Sequence, residues 1–491
     1  DTLKDYCEAH YPEAKNDLAN VFLERCLELS REQGAGVVQI VMPQNWLFLS
    51  GYKKQRESLL RSVQWNLLAR LGEGGFDSPQ AAGAFIILLT QTNAPAVEGM
   101  LLRGVDASAP KGGQEKAALL RIGKVVGVSQ QGQLENPDKV ISLDVLERGQ
   151  LLQSFATALS GCSAGDAPRF IRSLWEVPVN AGGAWRFHQG SVSVAQSFGG
   201  QSEIIFWEHE RGSMYSLAQS VKHLNHAAQN WLRGKPNWSK SGVVVSQMRD
   251  LAPAIYTGEI YDCNCCAIVP NDPRDVAALW AYCESGEFTN EVRKINQKVN
   301  VTPQTLLNVP FDLAYWRQVA AERYPNGLPK PYSDDPTQWL FHGHPQPATD
   351  PLQVAVARLA GYRWPAETDT AMELADEART WIARCDKLAE HTDDDGIVCL
   401  PSVRGEPAAH DRLLKLLISA WETVQPGSWK PTILDKLLAD ADSTGKSLEV
   451  WLREKFFEQH AKRFHHRPFI LHVWDGLKDG FGALVNYHKL D

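Results

Sequence analysis

Between Lys222 and Arg249 the chain carries five basic residues and no acidic one: Lys222, Arg233, Lys235, Lys240 and Arg249, with His223 and His226 in addition. Trp231 and Trp238 stand among them, and Gln247 adds an amide. Cations neutralise phosphates and indole faces stack on bases, so the run suits a nucleic-acid backbone with bases nearby. In that use Lys235 and Lys240 hold the backbone, Trp238 stacks on a base, and Gln247 or Arg249 reaches a base edge. An ordinary solvated face beside a core strand is the other reading of the same residues. Cys263-Asn264-Cys265-Cys266 and His342-Gly343-His344 raise the question of a metal. Structural zinc needs paired ligands, such as Cys-x-x-Cys with a second pair elsewhere, and neither spacing supplies them. On a strand, Cys263 and Cys265 face one side and Cys266 the other, as core or interface thiols. No metal site is expected, and His465, His466 and His472 read as structural. Gly72-Glu73-Gly74-Gly75 lacks the lysine of a phosphate loop and reads as a turn. No hydrolase triad, P-loop or nuclease carboxylate cluster stands at recognisable spacing.

Composition bounds what can carry these residues. A chain of 491 residues, 44% hydrophobic and 22% charged, is long enough for two to four globular domains. Its formal charge of −8 excludes a uniformly basic binder, so any nucleic-acid surface must be local. Nine Cys is an odd count in mostly apolar contexts, which suits a reduced, cytoplasmic chain better than a disulfide framework. The longest apolar run, around Ala84 to Leu89, is too short to span a membrane. No internal repeat is apparent.

The clearest scaffold runs from Gly34 to Ser62. Val37-Val38-Gln39-Ile40-Val41-Met42-Pro43 follows glycines and reads as a buried strand of a mainly parallel sheet, stopped by Pro43. A loop Gln44–Gly51 comes next, then a charged segment from Tyr52 with helical spacing that puts Leu59, Leu60 and Val63 on one face. In open α/β sheets the loop at a strand's carboxyl end lies over the ligand crevice. Residues 1–33 read as a helix with Leu18, Val21, Phe22, Cys26 and Leu29 on one stripe. Ala84–Leu89 reads as a second buried strand and Met100–Gly104 as a third, which together suggest half of a doubly wound sheet.

The segment "VMPQNWLFLSGYKKQRESLL" resembles the part after the catalytic motif in gamma-class N6-adenine DNA methyltransferases, of the large restriction or phage-defence type (BREX- or DISARM-like). In that family a strand ends in Asn-Pro-Pro-Tyr. A helix, a strand, a Pro-x-x-Trp-Leu loop and a helix with Lys-x-x-Arg follow. Pro43-Gln44-Asn45-Trp46-Leu47 and Lys53-Lys54-Gln55-Arg56 match the last two, and the order holds from the helix onward. Neither Asn-Pro-Pro-Tyr nor the glycine motif for S-adenosylmethionine occurs in the chain, which begins at Asp1 and reads as clipped at both ends. After the Phe85–Leu89 strand the family often carries an aromatic that stacks on the flipped adenine; here Thr90-Gln91-Thr92 stands in a turn at that place.

Residues 106–150 are polar and loop-rich, with a short strand at Lys124–Val128. A glycine-rich mixed β region with Trp175, Trp185, Phe187, Phe198, Phe206 and Trp207 follows, then a helix over 217–233, then the strand Tyr261–Pro270. A helix at Val276–Cys283, Ser285-Gly286-Glu287-Phe288, Arg293, and Leu306-x-x-x-Pro310-Phe311 resemble the tail of target-recognition domains in these enzymes and in type I specificity subunits. Ser285, Arg293, Lys294 and Lys298 match a surface able to face DNA. Tyr324–Pro347 is a Pro-rich linker, and helical patterns run on from Leu352, with Asp393-Asp394-Asp395 as a loop. The tail from Arg467 resembles a stretch of the same methylases, with no physical role evident.

The resemblance thus implies an α/β chain in three parts. Residues 1–105 are the C-terminal half of a Rossmann-like methyltransferase sheet, 106–350 a mixed α+β target-recognition domain, and 351–491 a helical spacer or partner domain. It implies a cytoplasmic, S-adenosylmethionine-dependent adenine-N6 DNA methyltransferase that flips its base and acts on double-stranded DNA, with other defence-system proteins as candidate partners. No catalytic residue lies in this chain. Gln44, Asn45 and Trp46 would form the adjacent wall, and Lys53, Lys54 and Arg56 would point toward phosphates. A non-catalytic DNA-specificity subunit working beside a separate methylase is the alternative, and methylation of RNA or of a small molecule a third.

Overall fold

The computed structural model describes residues 2–31, 35–76, 81, 83–144, 146, 149–178, 183–208, 211–224, 231–477 and 479–490. The fold is mixed α/β and divides into two compact units, 1–156 with 285–313 and 157–284 with 314–491.

The first unit holds helices α1 (Thr2–His10) and α2 (Leu18–Arg31), strand β1 (Val37–Pro43), helix α3 (Lys53–Ser62), strands β2 (Gln64–Gly72), β3 (Ile86–Thr92) and β4 (Leu101–Asp106), helix α4 (Gly113–Ile122) and strand β5 (Val126–Ser129). The strands form one sheet in the order β1-β3-β2-β4-β5. β3 is antiparallel to both β1 and β2, and β4 is parallel to β2. β1, β2 and β4 therefore point the same way, and their carboxyl ends share one edge of the sheet. α3 links β1 to β2 and buries Leu59 and Leu60, with Val63 just past its end; each such side chain contributes about 2 kcal/mol.

Several expectations need correction here. β1 has the expected bounds, but it is an edge strand of a mixed sheet, with Val38 and Met42 buried and Val37 and Val41 exposed. Residues 1–33 make two helices rather than one. On α2, Val21, Leu23 and Leu27 are buried, whereas Leu18, Phe22 and Leu29 of the expected stripe face outward. β2 has no counterpart among the expected elements: it follows α3 with no glycine or proline between them. Thr90-Gln91-Thr92 lies inside β3, not in a turn after it. Residues 113–122 are helical, and β5 pairs with β4, so the sheet continues past residue 106. Gly34 and 77–80 fall outside the described residues.

Among its described residues the second unit contains three small sheets. β6 (Ala156–Ser160), β10 (Gly242–Ser246), β11 (Pro253–Tyr256) and β13 (Cys265–Pro270) make the first, in the order β11-β10-β13-β6. β7 (Ile171–Ser173), β8 (Trp185–Gln189), β9 (Glu203–Phe206) and β12 (Ile260–Tyr261) make the second, and β14 (Ile397–Cys399), β15 (Ile470–Trp474) and β16 (Gly482–Asn486) the third. One core spans much of the unit and includes Trp175, Trp339, Trp364, Leu413 and Trp451. Residues 351–491 carry several helices together with β14, β15 and β16, and β14 pairs with β16 of the tail. The tail packs within this unit: the Trp175 indole donates to the Arg467 carbonyl, and the Asn486 amide to that of Ala360. In place of one helix over 217–233 there is a helix Ser213–Ser220 and a turn Lys222–Leu224; 225–230, with His226, lie outside the described residues. Cys263 sits in the turn before β13 rather than on the strand.

Candidate functional site

The loop after Pro43 is tied down residue by residue. The Gln44 amide donates to the Phe85 carbonyl at 2.9 Å, and the Leu47 carbonyl accepts from Ile141 at 2.9 Å. Two single 3-10 turns, Asn45–Leu47 and Ser50–Tyr52, carry the chain into α3. Arg56 then folds back from the first turn and a half of α3. Its Nε donates to the Lys139 carbonyl, its Nη1 to those of Trp46 and Leu49, and its Nη2 to that of Asp138, over 2.5–2.9 Å. The guanidinium is fully buried, and desolvation pulls its pKa down to about 10. Five donors in a planar fork can satisfy four carbonyls at once, which lysine cannot do. Asp138 and Lys139 take left-handed backbone conformations to present those carbonyls. The Asp138 carboxylate also pairs with Lys53 at 3.2 Å and accepts from the Asn308 amide at 2.9 Å.

Arg56 therefore does not face a phosphate; it fixes the loop. Lys53 and Lys54 are exposed, and Trp46 is core, its ring 5.6 Å from that of Trp65. Gln44 Oε1, Asn45 Oδ1 and Trp46 Nε1 are buried, with no hydrogen-bond partner among the described residues. Burying such atoms unpaired costs about 1–3 kcal/mol each. Sequence reasoning missed Gln91, fully buried with both amide atoms unpaired, and Asp138, whose signal is the turn sequence Asn136-Pro137-Asp138.

On the same carboxyl edge lies a cleft of about 550 Å³, lined by Gly72, Glu73, Gly74, Phe85, Ser108 and Lys111 among others. Gly72 and Gly74 have positive φ, and a Cβ on Gly74 would stand 2.4 Å from the Lys111 carbonyl, so both glycines are required by the turn. Lys116 donates to the carbonyls of Leu71, Ala107 and Ser108 and holds the ends of β2 and β4 together.

In the second unit the structure splits the basic run. Lys235 and Lys240 are exposed and flank Trp238, which packs edge-on to Trp207 at 5.1 Å. β10 then intervenes, so Gln247 and Arg249 lie at its other end, a five-residue strand of roughly 17 Å away. Arg249 is exposed, but Gln247 is only 5% exposed and cannot reach a base as it stands. Trp207, Tyr215, Lys222 and Trp231 line a pocket of about 180 Å³ near the Lys235 end. In the first unit, Arg293 donates to the carbonyls of Asn296 and Lys298, and Lys294 pairs with Glu291. Both cations are half-buried, and burial lowers the pKa of Lys298. Ser285 caps the turn at Glu287.

Cys265 and Cys266 are buried thiols whose pKa burial raises. His342 and His344 are buried and neutral: each Nδ1 accepts a backbone N–H, from His344 and Gln346 respectively. Among the described residues no three His, Cys, Asp or Glu side chains stand where they could hold one metal ion, and no helix is long and apolar enough to cross a membrane.

No family model matches the chain. Adenine-specific methyltransferase PglX of Lacticaseibacillus casei (strain Zhang) is 22% identical over 361 residues, 65% of this chain and 28% of that protein. Among solved structures, the Type IIL restriction-modification enzyme MmeI in complex with DNA covers 86% of this chain and 55% of its own at 9% identity, with a TM-score of 0.44. The ATP-dependent Type ISP restriction-modification enzyme LlaBIII bound to DNA covers 61% and 25% at 9% identity, with a TM-score of 0.32. The chain is thus weakly similar in sequence to an adenine-specific methyltransferase, and it spans little more than a quarter of that relative's length.

Proposed function

We propose that this chain is part of a site-specific DNA adenine-N6 methyltransferase that uses S-adenosylmethionine, in a cytoplasmic restriction-modification or phage-defence system. The observation that carries the reading is the order α2, β1, loop, α3, with Pro43-x-x-Trp46-Leu47 at the carboxyl end of β1 and Arg56 folded onto it. That is the order the sequence resemblance implies, and the similarity to PglX supports it.

Adenine N6 is a poor nucleophile because its lone pair is delocalised into the ring. Acceptors for its hydrogens are needed, and the base must leave the duplex to meet them. The motif that would supply them is not in this chain. Here the wall narrows to Gln44 and Asn45, whose unpaired oxygens are acceptors on the carboxyl edge; Trp46 is core. The described residues do not make a cofactor site by themselves. The cleft at Gly72–Gly74 is lined by one acid, Glu73, and one base, Lys111, so its charge does not select for the sulfonium of the methyl donor. No transfer step is derived through it.

Duplex DNA is the proposed partner, with Lys53, Lys54, Lys235 and Lys240 as backbone contacts and Arg249 at a base edge. The missing catalytic motif favours one other reading, a DNA-specificity protein beside a separate methylase. Methyl transfer by the whole protein, assayed on plasmid DNA, separates the two.

A further inference from the structure

We infer that the pocket between Trp207, Trp231 and the helix Ser213–Ser220 is a receptor for one unpaired nucleobase, swung out of a duplex whose phosphates Lys222, Lys235 and Lys240 hold. The inference rests on the proposed function, of which it deepens the DNA-binding part.

The pocket is built from parts already held in place. Its floor is Trp207, just past β9, with Met214, Ala218 and Trp231, all buried. Met214 and Ala218 stand four apart on the helix, as do Tyr215 and Gln219, so one helix face supplies all four. Trp231 is fixed from behind. The Cys162 thiol donates to its carbonyl at 2.8 Å, and a Cβ on Gly165 would stand 1.9 Å from its indole ring. Trp238 braces Trp207 edge-on, with ring centroids 5.1 Å apart. Aromatic walls that are already ordered lose little freedom when a guest stacks on them.

Size, polarity and charge select the guest. A volume of about 180 Å³ is below the roughly 300–1,000 Å³ of pockets that enclose drug-sized molecules. It suits one ring system, with the sugar and phosphate left outside. Two indoles, a phenol and a thioether offer π-faces and polarisable surface, on which any base can stack. The rim is Tyr215, Gln219 and Lys222, all exposed. Among the described residues Lys222 is the one charged side chain that lines the pocket. Glu208, beside Trp207 in sequence, is engaged at the helix start, where it accepts from the Ser213 N–H and hydroxyl. A cation at the rim repels a methylated ammonium, the other common guest of aromatic cages, and attracts the phosphates that flank a base. Lys235 and Lys240, exposed on either side of Trp238, extend the same charge.

The test uses the whole protein and two duplexes, one fully paired and one with a single bulged nucleotide that carries 5-iodouracil. The bulged duplex should bind roughly tenfold more tightly, the scale of stacking one base on aromatic side chains. Irradiation should cross-link its 5-iodouracil to Trp207, Tyr215 or Trp231, as located by peptide mass spectrometry. Ala218→Leu, which fills the pocket from its floor, and Tyr215→Ala, which opens its rim, should each abolish the preference and the cross-link. Tyr215 is 38% exposed, so loss of fold does not confuse the second variant. Equal binding of the two duplexes, cross-links only outside the pocket, or a preference that survives both substitutions would overturn the inference. A cross-link in a protein that transfers no methyl group would keep the pocket and remove the methyltransferase reading; methyl transfer with no cross-link would do the reverse.

Discussion

Arg56 Nη1 donates to the backbone carbonyl of Trp46 at 2.5 Å, within the loop that carries Gln44 and Asn45. With the bonds to Leu49, Asp138 and Lys139, the guanidinium joins the carboxyl end of β1 to the 138–139 turn. Arg56→Ala would strand four carbonyls in the interior, so it should cost about 3 kcal/mol or more in chemical denaturation. Arg56→Lys should recover little, because one ammonium cannot span the fork. Unchanged stability with weakened DNA binding would return Arg56 to a phosphate.

Lys235 and Lys240 are exposed beside Trp238, so the double Ala variant should bind all duplexes more weakly and flatten the salt dependence. The slope should fall by roughly 0.9 for each phosphate that the variant leaves unneutralised. Salt titrations on specific and scrambled duplexes measure it; an unchanged slope would place the DNA path elsewhere.

Arg249→Ala should change which sequence is preferred, by roughly 1–3 kcal/mol of discrimination if its fork reads a base. Gln247→Ala should lower stability and leave preference alone, because Gln247 is buried. Competition binding against a panel of site variants distinguishes them.

His342, His344 and His460 are buried neutral, with pKa values pushed down to about 3 by desolvation. His460 accepts from the Ile470 amide through Nε2, which protonation would prevent. The unfolded chain takes up these protons below about pH 6.5 and the folded chain does not. Stability of the second unit is therefore full above pH 6.5 and falls as pH drops toward 3, by up to about 1.4 kcal/mol per unit for each histidine. Melting temperature against pH should show this, and His460→Gln should flatten the curve.

Gln91 is fully buried in β3 with both amide atoms unpaired. Gln91→Leu should be neutral or stabilising by about 1 kcal/mol in the isolated chain. A marked loss in thermal denaturation would show that the amide has a partner.

The strand at Val37–Pro43 and the helix after it are legible in sequence because proline punctuates one and Leu59 and Leu60 face the sheet in the other. Periodicity cannot say which of two apolar faces on α2 is covered, so it points Phe22 inward where the fold turns it outward. β2 is hidden because nothing interrupts the chain between Ser62 and Gln64. Spacing alone puts Cys263 on a strand, since it does not reveal the turn that takes it off. Arg56 reads as a surface cation because its four partners are carbonyls from residues 46 to 139, which no local pattern shows.

The most direct measurement is labelled-methyl transfer from S-adenosylmethionine to plasmid DNA by the whole protein, followed by nucleoside analysis. The account predicts label in N6-methyladenine of duplex DNA, depending on sequence. Label only in RNA or in 5-methylcytosine, or none at all from the purified folded protein, would contradict it.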